Sequence, residues 1–338
     1  LSEQSSSRLV DLGMRLAVPY NHDPRLIQML QTMAASIAEI FIPAPLDVSG
    51  TFRAWNGPDP VEYRKMVPGI VCAASRIGLS VNMAVNSPFV PPSEHRMVAD
   101  YIANAASEGV RSFTIGDLHL AEHVRAVCPE VELVASATAD IAHVTRARHW
   151  VRMAGVSRIV PSRVVNKDPD VLRAMARLGV QIEIIPNEQC LPACPYMFQH
   201  AMTIGFRDSV DDTDFRRYCA MCAAMKPAAP WEHYQTEIVP ASIPRYRGIV
   251  SLVKLAGRDS TTSFILGEVG RFIALESDWT GFLGGYREPP DVFEKLQSCD
   301  RVCEDCGYCQ SAFIEANPGW QDRGSEWLRR VTGVESGR

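Results

Sequence analysis

The sequence predicts an α/β protein, and within that class a (β/α)8 barrel. Eight short apolar runs recur along the 338 residues. Six of the seven connections between them are helix-sized, with apolar residues returning at three and four positions. Strands linked in succession by helices imply a parallel sheet. The structural alternative is an open doubly wound sheet, which would carry a glycine-rich phosphate turn after an early strand. "VPYNHDP" after the first run is no such turn.

In chain order the runs are "MRLAVPYN", "EIFIPAP", "LSVNMAVN", "RSFTIGD", "ELVASAT", "RIVPSRV", "QIEIIPN" and "SLVKLAG". Each is a strand-like apolar run. Segments such as 92–108 and 168–178 carry the amphipathic helical spacing between them. The connection between the seventh and eighth runs is the exception. It spans roughly 191–248, far beyond an ordinary loop, and long connections tend to be functional. The barrel with this insertion is assigned to 14–280, and a cysteine-rich C-terminal extension to 281–338.

Composition narrows the function. At 46% hydrophobic and 22% charged residues, the chain can bury a full core without cross-links. No apolar stretch approaches the roughly 18–20 residues of a membrane span, and no basic-then-apolar leader opens the sequence, so a cytoplasmic protein is expected. A net charge of -5 and a pI near 5.9 argue against broad nucleic-acid binding and for a small-molecule or peptide substrate.

Ten cysteines in a reducing compartment are hard to explain as disulfides. Cys72 and Cys128 stand alone and read as small core residues. The other eight form two sets of four. Cys190 and Cys194 are joined by Cys219 and Cys222, a C-x3-C step followed later by C-x2-C; Cys299, Cys303, Cys306 and Cys309 fall within eleven residues of the tail. Four thiolates suit either an iron–sulfur cluster or zinc, and spacing alone does not separate the two. The first set lies just past the seventh strand, on the face where barrels place their chemistry. The tail also contains the C-x3-C-x2-C pattern of radical-SAM enzymes. It follows the last strand instead of the first, and Cys309 would close the site as a fourth ligand. A second cluster, structural zinc and unliganded thiols therefore stay open for the tail.

"NEQCLPACPY" ending a strand, a later cysteine pair, "VKLAGRDST" and the tail "CGYC" resemble the collagenase-like peptidase superfamily, the peptidases of unclassified mechanism. "LVASATADIAH" and "GVSRIVPSRVV" resemble that family's fifth and sixth strand segments, and the likeness runs from about residue 14 to 312. The resemblance implies a TIM-type barrel carrying a 4Fe-4S cluster. It further implies oxygen-independent hydroxylation as an activity of some members, with prephenate as a possible oxygen source, an electron-donor protein, and a partner subunit of the same family. The second cysteine set and the lack of basic tracts suited to RNA depart from those members.

Polar residues at strand ends complete the expected site. Asn21, Asn82, Asn86, Asp117, Ser136 and Lys254 are read as substrate-binding groups converging over the barrel mouth. Arg163 and Arg258, which with Lys254 match charged positions of the family motifs, suit a carboxylate because a guanidinium forms two parallel hydrogen bonds. The alternative for Arg163, Lys254 and Arg258 alike is a buried ion pair with Glu183 or Asp259. Glu188 is a candidate general base or helix cap, and His200 a candidate cluster or substrate contact. No G-x-S-x-G or H-E-x-x-H supports a peptidase, and cysteines grouped for metal leave no activated thiol. The reading is an iron–sulfur oxidoreductase acting as a hydroxylase; a peptidase and a non-catalytic electron-transfer scaffold are the alternatives.

Overall fold

The computed structural model describes residues 7–45, 58–188, 194–205, 236–276, 291–297, 299 and 306–319. Eight parallel strands close into a barrel in chain order. They are β1 (Arg15–Pro19), β2 (Ile37–Pro43), β3 (Ser80–Val85), β4 (Ser112–Ile115), β5 (Glu132–Ala135), β6 (Arg158–Ile159), β7 (Gln181–Ile184) and β8 (Leu252–Lys254). β8 pairs with both β7 and β1, which closes the ring. All eight coincide with the runs read from the sequence, so the fold is a (β/α)8 barrel.

Around the barrel stand α2 (Pro24–Leu30), α3 (Pro60–Arg76), α4 (His95–Ser107), α5 (Leu118–Val127), α6 (Val144–Ala154), α7 (Pro169–Ala176) and, after β8, α9 (Thr262–Ala274). A short α1 (Ser7–Asp11) precedes β1, and α8 (Met197–Gly205) follows β7. Three of the outer helices start by one device. Asp23, Asp59 and Asp168 each accept a backbone N–H of the first turn, and each is followed by a proline at the first helical position. The carboxylate satisfies an orphan donor, and the proline lacks the N–H that would be orphaned anyway.

The strands alternate with a period of two. Outward residues such as Leu16, Ile40, Met83, Phe113, Leu133, Ile182 and Val253 belong to one apolar cluster between sheet and helices. The inward set is different in character. Ala17, Phe41 and Leu252 form a small separate cluster, and the remaining inward positions include Glu39, Asn82, Ser112, Thr114, Arg158, Glu183 and Lys254, all buried. Registers such as Phe41 opposite Asn82, Asn82 opposite Ser112, and Glu183 opposite Leu252 put these residues on one face. The main core therefore lies between sheet and helices, and the space inside the barrel is mixed, a small apolar cluster beside buried polar and charged residues.

In the tail, α10 (Val292–Gln297) and α11 (Tyr308–Ala316) share a minor cluster of Val292, Leu296 and Phe313, against which Cys299 and Cys309 pack. An Arg245–Glu294 ion pair ties α10 to the 3-10 helix Pro240–Tyr246 that precedes β8. Among the described residues no helix is long and apolar enough to cross a membrane.

Candidate functional site

A cavity of about 670 Å³, measured out to open solvent, sits at the C-terminal ends of the strands. Each strand from β2 to β8 contributes a lining residue at or near its end: Phe41, Ala84 with Asn86, Thr114, Ser136 with Thr138, Val160, Ile185 with Glu188, and Lys254 through Arg258. The parallel sheet delivers these groups to one place because every strand ends on the same face.

The rim is tightly joined. The Thr138 hydroxyl donates to the Asn86 carbonyl at 2.6 Å and stands 2.9 Å from Ser136 Oγ, from which it can accept, while the Thr138 N–H donates to Ser136 Oγ at 3.2 Å. Gly116 fits between these elements only because it has no side chain. A Cβ there would stand 2.5 Å from both the Ser87 carbonyl oxygen and Thr138 Oγ1, and 2.6 Å from the Asn86 carbonyl oxygen.

Below the cavity runs a chain of buried charges. Arg158 Nη2 meets Glu39 Oε2 at 3.0 Å, Arg158 Nε meets Glu183 Oε2 at 3.1 Å, and Lys254 Nζ meets Glu183 Oε1 at 3.2 Å. Asn82 fills the adjacent space, donating to Ser112 Oγ at 2.7 Å and accepting from Thr114 Oγ1 at 2.8 Å. Burial pushes the Glu183 carboxyl up, yet the Lys254 and Arg158 charges together hold it below the ordinary range. Glu39 goes the other way: burial outweighs Arg158, and nearby Glu183 adds to the rise. Lys254 Nζ also lies 4.4 Å from the centre of the Phe41 ring.

Of the residues read from the sequence, the structure brings Asn86, Ser136, Glu188, Lys254 and Arg258 together around the cavity. Arg163 joins them indirectly, since its Nη2 is 3.4 Å from Glu188 Oε1. Its carboxylate partner is therefore Glu188, neither Glu183 nor Asp259. Asn82 lies beneath the cavity with its amide committed to β4. Asn21 donates to the Ser260 carbonyl and to Thr262 Oγ1, both at 3.1 Å, so it ties the loop after β1 to the loop after β8. Asp117 accepts from Val90 N at 2.8 Å and caps α5 through His119 N and Leu120 N. His200 is half-buried on α8 and is absent from the cavity lining. Cys194 and Cys309 are half-buried, as is Cys299, and Cys306 is exposed. Cys190, Cys219, Cys222 and Cys303 lie outside the described residues.

Sequence reasoning passed over Phe41 and Thr114. Both are inward positions of their strands, and the alternation of "EIFIPAP" and "RSFTIGD" could have found them. It also passed over Asn187, the first residue of the Asn-Glu-x-x-Cys block. That fully buried amide accepts from Ala256 N at 2.7 Å and donates to the Ala256 carbonyl at 3.3 Å and to Glu268 Oε2 at 3.2 Å. It thereby locks the exit of β7 to the exit of β8 beside Arg258. Near the same edge, His22 has φ 66° and stacks edge-on against Tyr20 and Tyr63, with ring centres 5.8 and 5.2 Å away. Burial, then the Arg258 guanidinium, lowers His22 to about 4, against an opposing effect of Asp259.

Residues 63–191 match the family model of peptidase family U32. The U32 match spans α3 through β7 and ends just beyond Cys190, which agrees with the resemblance to the collagenase-like peptidase superfamily. Among solved structures, the U32 peptidase Mk0906 is similar at 19% identity over 72% of this chain and 93% of its own, with a TM-score of 0.45. The YdjI aldolase from Escherichia coli K12 is similar at 10% identity over 94% of this chain and 100% of its own, with a TM-score of 0.40. No curated protein matches the chain.

Proposed function

We propose that the protein is an iron–sulfur enzyme that modifies a small anionic organic or peptide substrate at the barrel mouth by oxygen-independent redox chemistry, hydroxylation being the specific reaction. The observation that carries the reading is the cavity itself. It combines Lys254 and Arg258 with a row of hydroxyls, and its Glu188 stands two residues before Cys190 and six before Cys194. Cys190, Cys194, Cys219 and Cys222 would hold a 4Fe-4S cluster beside this cavity, and thiolates are the donors such a cluster requires. The half-buried position of Cys194, next to the start of α8, suits a ligand sheltered from water. A bound cluster supplies single-electron transfer. The chain's own groups bind and orient: Lys254 and Arg258 match the carboxylates of a donor such as prephenate, and Arg163 holds Glu188 at the cavity wall. The tail set would hold a second cluster or zinc.

The peptidase reading finds less support in the lining. The Thr138 hydroxyl donates to the Asn86 carbonyl, and that of Thr114 donates to Asn82. Among the described lining residues there is no imidazole to activate either.

Protein purified without air should be brown, with iron and sulfide at about four each per chain for one cluster or about eight for two. Cys190→Ala or Cys194→Ala should remove that absorbance while the far-ultraviolet signal of the barrel persists. Zinc with negligible iron would overturn the proposal.

A further inference from the structure

(β/α)8 barrels are ordinarily filled inside by layers of branched aliphatic side chains. This one instead buries two acids and two bases in a row, with side-chain exposures of 5% for Glu39, 3% for Arg158, 0% for Glu183 and 10% for Lys254. Removing such ions from water costs several kcal/mol each, and apolar replacements of buried ion pairs are commonly neutral or stabilising. Stability alone therefore does not account for the row.

Its direction does. Of the four residues only Lys254 lines the cavity. Glu183 has a cation at ion-pair distance from each oxygen, Lys254 Nζ at 3.2 Å and Arg158 Nε at 3.1 Å, and Arg158 in turn donates to Glu39. A carboxylate held by charge between two cations has little reason to turn away from either, so it sets where the ammonium stands. The Phe41 ring, also in the lining, flanks that ammonium.

We propose that Glu183 is the positioning residue of Lys254, and that Lys254 so held is the anchor for a carboxylate or similar oxyanion of the ligand. The inference rests on the reading of the mouth as the ligand site. Arg258, four residues on in the loop that leaves β8, lines the same cavity and adds a second cation for a dianion. A lysine paired in this way serves as a charge; an amine that attacks a carbonyl must first shed its proton and its carboxylate partner.

The test is trace acetylation of the full-length protein as purified, read by mass spectrometry at Lys254 and at Lys65, which is exposed and serves as the internal reference. Malonate is the anion probe. In the wild type, millimolar malonate should slow acetylation of Lys254 by about fivefold and leave Lys65 unchanged. Glu183→Gln should raise the rate at Lys254 by about tenfold without malonate, because the side-chain nitrogen loses the carboxylate it rests on at 3.2 Å and is freed to meet the reagent, and should abolish the protection. Should Glu183→Gln fail to fold, Glu183→Asp keeps the charge but draws the carboxylate back by about 1.5 Å, and the rate at Lys254 should rise by about threefold. Equal rates in the wild type and whichever variant folds would overturn the proposal, as would absent protection by malonate. Reductive trapping of Lys254 by pyruvate ahead of Lys65 would also overturn it, since that marks a neutral nucleophilic amine. None of these readings needs iron, so a chain without a cluster can still show the anchor, and a chain with one can lack it.

Discussion

Arg158→Met offers a direct measurement of what the buried charges do to the barrel. The guanidinium is 3% exposed and touches Glu39 at 3.0 Å and Glu183 at 3.1 Å. Removing it leaves two buried carboxylates sharing Lys254, an imbalance of one negative charge. Breaking a buried pair in this way costs about 3–5 kcal/mol. The loss should be partly recovered in Arg158→Met/Glu39→Gln, which leaves Lys254 and Glu183 balanced, and the coupling between the two substitutions should be about 2 kcal/mol. The pH dependence has a definite sign. Without Arg158, the Glu39 carboxyl, already pushed up by burial, rises further in the folded state. A carboxyl raised on folding takes its proton in the folded chain first, so Arg158→Met regains stability as pH falls from neutrality toward about 4.3, where the unfolded carboxyl titrates. Urea denaturation of the wild type and both variants, at neutral and mildly acidic pH, reads all of these values. A double variant no more stable than Arg158→Met would refute the charge-balance argument, and so would a cost for Arg158→Met below about 1 kcal/mol.

Two further outcomes follow from the mouth. Folded His22 takes its proton only near 4, whereas the unfolded side chain does so near 6.5, so stability is lost as pH falls through that window. The full linkage would be about 3 kcal/mol, and partial solvent exposure reduces it to about 1–2 kcal/mol. His22→Asn, which tolerates the left-handed backbone, should flatten that slope in a plot of urea midpoint against pH; an unchanged slope would refute the assignment. Gly116→Ala forces a methyl against two carbonyl oxygens and the Thr138 hydroxyl, with a cost of about 1–3 kcal/mol and a fall in Tm of roughly 1–4 °C. A thermal melt that matches the wild type would show that the three exits are not packed as described.

Much of the fold was legible because the signal is local. Apolar runs of strand length, and the three- and four-residue spacing of the helices between them, each act over a few residues. The cavity was partly legible for a related reason. Parallel strands all end on one face, so Asn86, Ser136 and Lys254 had to arrive near one another. Asn21 and Asn82 occupy equally plausible places in the sequence and yet differ in fate, because whether an amide meets a cavity or a neighbouring hydroxyl depends on residues 30 to 241 positions away.

The sequence by itself determined the eight-stranded barrel, the long segment after β7 and the two groups of four thiols, since periodicity and spacing need no knowledge of distant contacts. Only the tertiary structure decided which charges belong together. Glu39 and Arg158 are 119 residues apart, Arg163 chose Glu188 over Glu183 and Asp259, and Lys254 came to rest on Glu183. The physical reason is that an ion buried away from water must take whichever opposite charge closure of the ring brings within about 3 Å, and closure is a property of the whole chain.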